Sequence, residues 1–67
     1  MKNRVNKNNK PVIIKYIINR FDKIMMEKGK ISLIDLWDVE IEIEKKFNIS
    51  DYQSGKLSNH VLQTGGL

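Results

Sequence analysis

The chain has 67 residues, enough for one small domain, and a net charge of +4 at pH 7. A domain of this size buries about 60% of the surface that its unfolded chain exposes, so it depends on a well-packed core or on a partner subunit. The absence of cysteine excludes disulfides and thiolate metal sites, and one histidine, His60, does not make a zinc site alone. The sequence predicts no metal and no cofactor.

Charge and hydropathy are unevenly distributed along the chain. Residues 1–10 carry basic side chains and no acidic one, whereas residues 31–47 carry most of the acidic ones. The apolar runs are much shorter than the stretch of about 18 residues that a membrane span needs. No signal peptide is recognisable, so we expect a cytoplasmic protein with separate basic and acidic surfaces.

The first ten residues are polar, basic and rich in asparagine, which predicts a flexible arm rather than a packed segment. Such an arm would enter a minor groove or lie on phosphates, as homeodomain arms do. The alternative is a solubilising terminus without a ligand. The candidate nucleic-acid contacts in this arm are Lys2, Arg4, Lys7 and Lys10.

A first helix is predicted over residues 11–28. Pro11 suits a first helical position, and Gly29 suits the residue that ends a helix. Between them the apolar residues recur at helical spacing. These residues cover more than one face of the helix, which predicts self-association as a homodimer. The apolar positions are Ile13, Ile14, Ile17, Ile18, Phe21, Ile24 and Met25.

Residues 33–47 permit two interpretations. From Trp37 to Glu44 apolar and acidic residues alternate, which indicates a strand. Ser32 as an N-cap, with acidic residues early and lysines late in the segment, favours a helix. No second alternating run exists for a strand to pair with, so we favour the helix. Its apolar face would comprise Leu33, Leu36, Trp37, Val39, Ile43 and Phe47.

A third helix is predicted over residues 51–63, because Ser50 and Gln53 have the spacing of a capping box. Its apolar positions are Tyr52, Leu57, Val61 and Leu62. The expected fold is therefore an all-α domain of three helices over residues 11–67. A short β element stays open as a variant of this fold.

The order of these elements resembles the helical core of a winged-helix or related helix-turn-helix domain, over about residues 12–67. The resemblance rests on the helix, the step Gly29-Lys30-Ile31-Ser32-Leu33, two further helices and the ending Gly65-Gly66-Leu67. It implies that the third helix lies in the major groove of duplex DNA and that the Gly-Leu step leads into a wing. The groove-facing candidates it implies are Gln53, Ser54, Lys56, Ser58, Asn59, His60 and Gln63.

The side chains of glutamine and asparagine form bidentate hydrogen bonds with adenine, and lysine donates hydrogen bonds to guanine. We therefore expect a small DNA-binding protein, a transcriptional regulator of the kind common in phages and plasmids. No nucleophile–base pair or phosphate-binding loop is recognisable, which favours a binding protein over an enzyme. The alternative is a protein-binding inhibitor or adaptor that acts on a host protein through the acidic helix 33–47. Its candidate contacts are Asp38, Glu42 and Glu44.

Overall fold

A computed structural model describes residues 1–65, which fold into three α-helices. They are α1 (Lys10–Lys28), α2 (Leu33–Phe47) and α3 (Asp51–Thr64), so the predicted all-α class is confirmed. The described residues contain no strand, and the alternative of a strand within 36–44 is wrong. None of the three helices combines the length and the apolar character that crossing a bilayer requires. The Gly66-Leu67 step of the resemblance lies outside the described residues.

The first helix forms where the periodicity predicts it. Pro11 lies in its first turn, and the helix ends at Gly29, whose φ of 78° is left-handed and whose N–H donates to the Met25 carbonyl at 2.8 Å. Glycine takes this conformation without the strain that a Cβ would bring. One face of the helix is buried and comprises Ile13, Ile17, Phe21 and Ile24.

The second helix begins at a complete capping box. The Ser32 hydroxyl accepts a hydrogen bond from the Asp35 amide, and the Asp35 carboxylate accepts one from the Ser32 amide at 3.1 Å. Lys28, at the end of α1, lies 2.7 Å from the same carboxylate. These interactions, with the hydrogen bond from Lys28 the largest, lower the pKa of Asp35 to about 2. The box therefore also ties the end of α1 to the start of α2.

A three-residue turn joins α2 to α3. Asn48 takes the left-handed conformation with φ of 54°, Ile49 is fully buried, and the Ser50 hydroxyl accepts from the Gln53 amide at 3.3 Å. Asparagine tolerates the left-handed region better than other residues with a Cβ. The turn is therefore part of the core, because Ile49 packs beneath it.

The core lies between the three helices, each of which contacts the other two. From α2 it takes Val39 and Ile43, and from α3 it takes Leu57 and Val61. Leu36 and Phe47 pack on it only in part. Burial of branched side chains on this scale is the main favourable term in the folding of so small a domain.

One side of α2 was expected to be covered and is not. Trp37 is 54% exposed, because α2 turns Val39 and Ile43 inward and so turns Trp37 outward. Conversely, Ile14 and Ile18 of α1 are partly buried against the core. Met25, also expected on the exposed surface of α1, is 47% exposed. A second exposed apolar surface lies on α2. We call it the outer stripe of α2, and it comprises Leu33, Ile34, Trp37 and Ile41.

The N-terminal segment, expected to be a flexible arm, contacts the end of α2. The Asn3 amide donates to the Asn48 carbonyl at 2.6 Å, and the Asn3 side chain donates to the Phe47 carbonyl at 3.0 Å. The Asn48 side chain donates to the Met1 carbonyl at 3.0 Å, and Val5 packs on the core. The interpretation of residues 1–10 from their polarity missed these contacts.

The asparagines of this segment also form side-chain hydrogen bonds to the backbone just before α1. The Asn6 side-chain oxygen accepts from the amides of Asn8 and Asn9 at 2.8 and 3.0 Å, and the Asn9 side-chain oxygen accepts from the Asn6 amide at 2.7 Å. This reciprocal pair resembles a capping box built from asparagines. The Asn-rich composition therefore has a local structural role.

We predict that Gly55→Ala stabilises the fold. Gly55 lies inside α3, and a Cβ there would meet the Glu40 carboxylate at 3.6 Å, an ordinary van der Waals contact. Alanine favours a helix interior over glycine by about 1 kcal/mol. Urea unfolding followed by circular dichroism should show a higher midpoint. Gly29→Ala is the matched control and should have the opposite effect, because its φ is left-handed; a lower midpoint for both variants would contradict the prediction.

We also predict that Asp35 makes stability depend on pH in the acid range. The pKa of Asp35 is about 2 in the folded state against an ordinary value of 3.8. Its contribution to the free energy of unfolding is therefore complete above pH 3.8 and is lost as the pH falls through about 2. The unfolding free energy of Asp35→Asn should therefore change less over this range than that of the unaltered protein. Asp22→Asn, at an exposed position on α1, should keep the full dependence. Equal slopes for the two variants would refute this role of Asp35.

Candidate nucleic-acid interface

The inner face of α3 contains two serines that were expected to face DNA. Ser54 and Ser58 are fully buried against α2. The Ser54 hydroxyl donates to the Glu44 carboxylate at 2.9 Å, and the Ser58 hydroxyl donates to the Glu40 carboxylate at 3.0 Å. Both serine hydroxyls are thus directed to carboxylates of α2 and not to solvent. We therefore leave them out of the candidate interface.

The outer face of α3 is polar and open. Lys56, Asn59 and Gln63 are exposed, and Gln53 and His60 lie half-buried at its edge. The exposed residues follow one another at steps of three and four, so they share one side of the helix. We call this side the outer face of α3, and it comprises Tyr52, Lys56, Asn59 and Gln63.

Tyr52 was expected in the core and belongs to this face instead. It is 68% exposed, and the Lys56 ammonium lies 6.0 Å from the centre of its ring. This distance suits a cation–π contact, which holds the lysine along the helix. Tyr52 lies five residues before Leu57 and nine before Val61, spacings that place it on the opposite side of α3. Its assignment to the core followed its residue type and not its helical spacing.

The acidic side chains of α2 are bound mostly within the domain. Glu42 accepts a hydrogen bond from the Tyr16 hydroxyl, and its carboxylate lies 3.2 Å from the Arg20 Nε atom. Glu44 is bound to α3 through Ser54, as described above. Asp38 is exposed. The acidic surface expected for a protein partner, with Asp38, Glu42 and Glu44, is therefore largely an interface between helices.

The basic residues of the N-terminal segment lie on the surface and one of them meets α3. Lys2, Arg4, Lys7 and Lys10 are all exposed. Lys10, the first residue of α1, lines an open cleft of about 290 Å³ together with side chains of α3. The cleft is lined by Val5, Lys10, Gln53, Lys56, Leu57 and His60. The structure thus brings one candidate residue of the arm, Lys10, together with three of the third helix, Gln53, Lys56 and His60.

The described part of the chain contains no group of three or more His, Asp or Glu side chains placed to hold a metal ion. Comparison of the chain with protein-family models, curated proteins and solved structures gave no match.

Proposed function

We propose that this chain is a cytoplasmic DNA-binding protein of helix-turn-helix type that acts as a transcriptional regulator. The observation that carries the proposal is the outer face of α3, a row of exposed donors and acceptors on a helix that follows a three-residue turn. A helix with such a face fits the major groove, where base edges present distinct patterns of donors and acceptors.

The chemistry of this face suits base reading. The amide side chains of Asn59 and Gln63 each present one donor group and one acceptor, which matches the N6 and N7 atoms of adenine. Tyr52 would lie beside them on the same side of α3. The exposed basic side chains of the N-terminal segment would contact phosphates. Such contacts position a protein on the duplex without reading its sequence.

The acidic residues of α2 are for the most part bound within the domain, which makes them compatible with this function. Carboxylates near a phosphate backbone would repel it unless they are neutralised or directed inward. Glu42 is paired with Arg20, and Asp35 with Lys28. Glu40 and Glu44 bind serines on the side of α3 opposite its outer face. The same contacts leave the alternative function, a protein-binding inhibitor that acts through these acids, with less support.

The proposal predicts that Asn59 and Gln63 read bases. A preferred site would be selected from a random duplex library with the full chain, and affinity measured by fluorescence anisotropy at several salt concentrations. Asn59→Ala or Gln63→Ala should weaken binding to the preferred site by about 1–3 kcal/mol. Either change should have little effect on binding to random duplex.

Two variants serve as controls. Asn19→Ala replaces an exposed asparagine of α1 that lies outside the candidate interface, and should leave both affinities unchanged. Arg4→Gln with Lys7→Gln should weaken binding to all sequences alike and flatten the salt dependence. Failure of the unaltered chain to bind any duplex at low salt and micromolar concentration would reject the proposed function.

We further propose that the protein acts as a two-fold homodimer joined through the outer stripe of α2. The residues of the stripe are half to two-thirds exposed, and the exposed Asp38 lies at its edge, one turn after Ile34. An antiparallel second copy would place Ile34 of each chain opposite Ile41 of the other, with Trp37 between them. Two-fold pairing is the commonest assembly, and dimeric helix-turn-helix proteins bind two half-sites.

Sedimentation equilibrium should therefore show a dimer at micromolar concentration. Ile34→Lys should convert it to a monomer, because a buried ammonium without a partner is costly at an apolar interface. Met26→Lys alters a more exposed apolar residue, at 88%, outside the stripe, and should leave the dimer intact. A monomeric unaltered protein, or equal dissociation of both variants, would exclude this interface.

A further inference from the structure

The cleft between the N-terminal segment and α3 has the composition of a site for an oxyanion. The polar residues that line it are Lys10, Lys56, Gln53 and His60, and the described residues that line it include no acidic side chain. Val5 and Leu57 supply an apolar wall. Lysine is a common phosphate ligand because it offers three donors and a full charge.

The start of α1 adds to the positive potential of this cleft. Lys10 is the first residue of the helix, whose N-terminal end carries a partial positive charge. The first turn contains no acidic residue, and Asn9 makes no side-chain cap to it. The amides of Lys10 and Ile13 already donate to the Asn6 and Asn9 carbonyls. An anion in the cleft would therefore be held by the side chains that line it, and the helix end would add only its partial charge.

The two lysines line the cleft from separate helices. Lys10 belongs to α1, whereas Lys56 belongs to α3 and has its ammonium 6.0 Å from the centre of the Tyr52 ring. An anion within the cleft can therefore contact a lysine of each helix. Two lysines on one helix face would instead follow successive phosphates of a backbone.

We propose that this cleft binds a single phosphate group, held between Lys10 and Lys56 with Gln53 and His60 as further donors. Resting on the proposed function, the inference assigns that phosphate to the backbone of the bound duplex. Lys56 then anchors α3 to the backbone at the edge of the groove, and Asn59 and Gln63 on the outer face remain free to read bases. The site fixes the register of the reading helix.

The first test measures how affinity for duplex DNA depends on salt. Log affinity falls with log salt, and each neutralised phosphate adds about 0.9 to the magnitude of that slope. Replacing both lysines, Lys10→Gln with Lys56→Gln, should reduce this magnitude by about 0.9 if they share one phosphate, and by about 1.8 if they hold two. The matched control is Lys15→Gln with Lys23→Gln, which removes the same charge from exposed positions of α1 and should leave the slope nearly unchanged.

The second test locates the anion and its source by nuclear magnetic resonance. Inorganic phosphate and a random-sequence duplex are each titrated into the full chain, and the side-chain signals of Lys10, Gln53, Lys56 and His60 are followed. We expect both ligands to move these signals in the unaltered protein, and inorganic phosphate to leave those of Gln53 and His60 unmoved in the double variant. Circular dichroism of the variants verifies that the fold is retained.

The outcomes separate this inference from the proposed function. Duplex binding with an unchanged slope in the cleft variant, or with cleft signals that do not move, overturns the phosphate site and leaves the DNA-binding function standing. Phosphate-induced shifts without any duplex binding support a phosphate site and overturn both the backbone assignment and the proposed function. A slope loss near 1.8 overturns the shared phosphate.

Discussion

Glu40 and Glu44 of α2 accept hydrogen bonds from Ser58 and Ser54 of α3, and the arrangement of the domain depends on these contacts. Carboxylates at a helix interface are tolerated when donors satisfy them, and the two serines supply such donors. Both pairs are four residues apart, so each helix offers one row to the other. These rows set the rotation of α3 about its axis. That rotation decides which polar residues of α3 face solvent.

The sequence predicted the helices well because their signals are local. The apolar spacing from Ile13 to Ile24 and the capping serines Ser32 and Ser50 act within a few residues. The alternation of apolar and acidic residues in α2 misleads for a physical reason. Glu40 and Glu44 bind α3, whereas Glu42, between them in sequence, binds α1. Contacts on two sides of one helix thus imitate the period of a strand.

The candidate interface was only partly predictable. Ser54 and Ser58 were grouped with Asn59 and Gln63 because all are polar residues of one helix. Ser54 lies three residues before Leu57 and Ser58 three before Val61, so helical spacing places both serines on the buried face of α3. What no local pattern reveals is that two glutamates of α2 supply their acceptors.

Residue type also misassigned Tyr52 and Trp37 to the core. Both are large and apolar, but they lie out of phase with the buried residues of their helices and are exposed.

The contacts that dock the N-terminal segment differ in kind from those of the core. The segment is joined to the end of α2 by exposed hydrogen bonds of Asn3 and Asn48, and by the packing of Val5. Segments held in this way open at a lower free energy than the core does. Since Val5 also forms a wall of the cleft beside α3, undocking dismantles the cleft while the three helices persist. Any ligand of the closed cleft therefore shifts the population toward the docked state, and ligand affinity includes the free energy of docking.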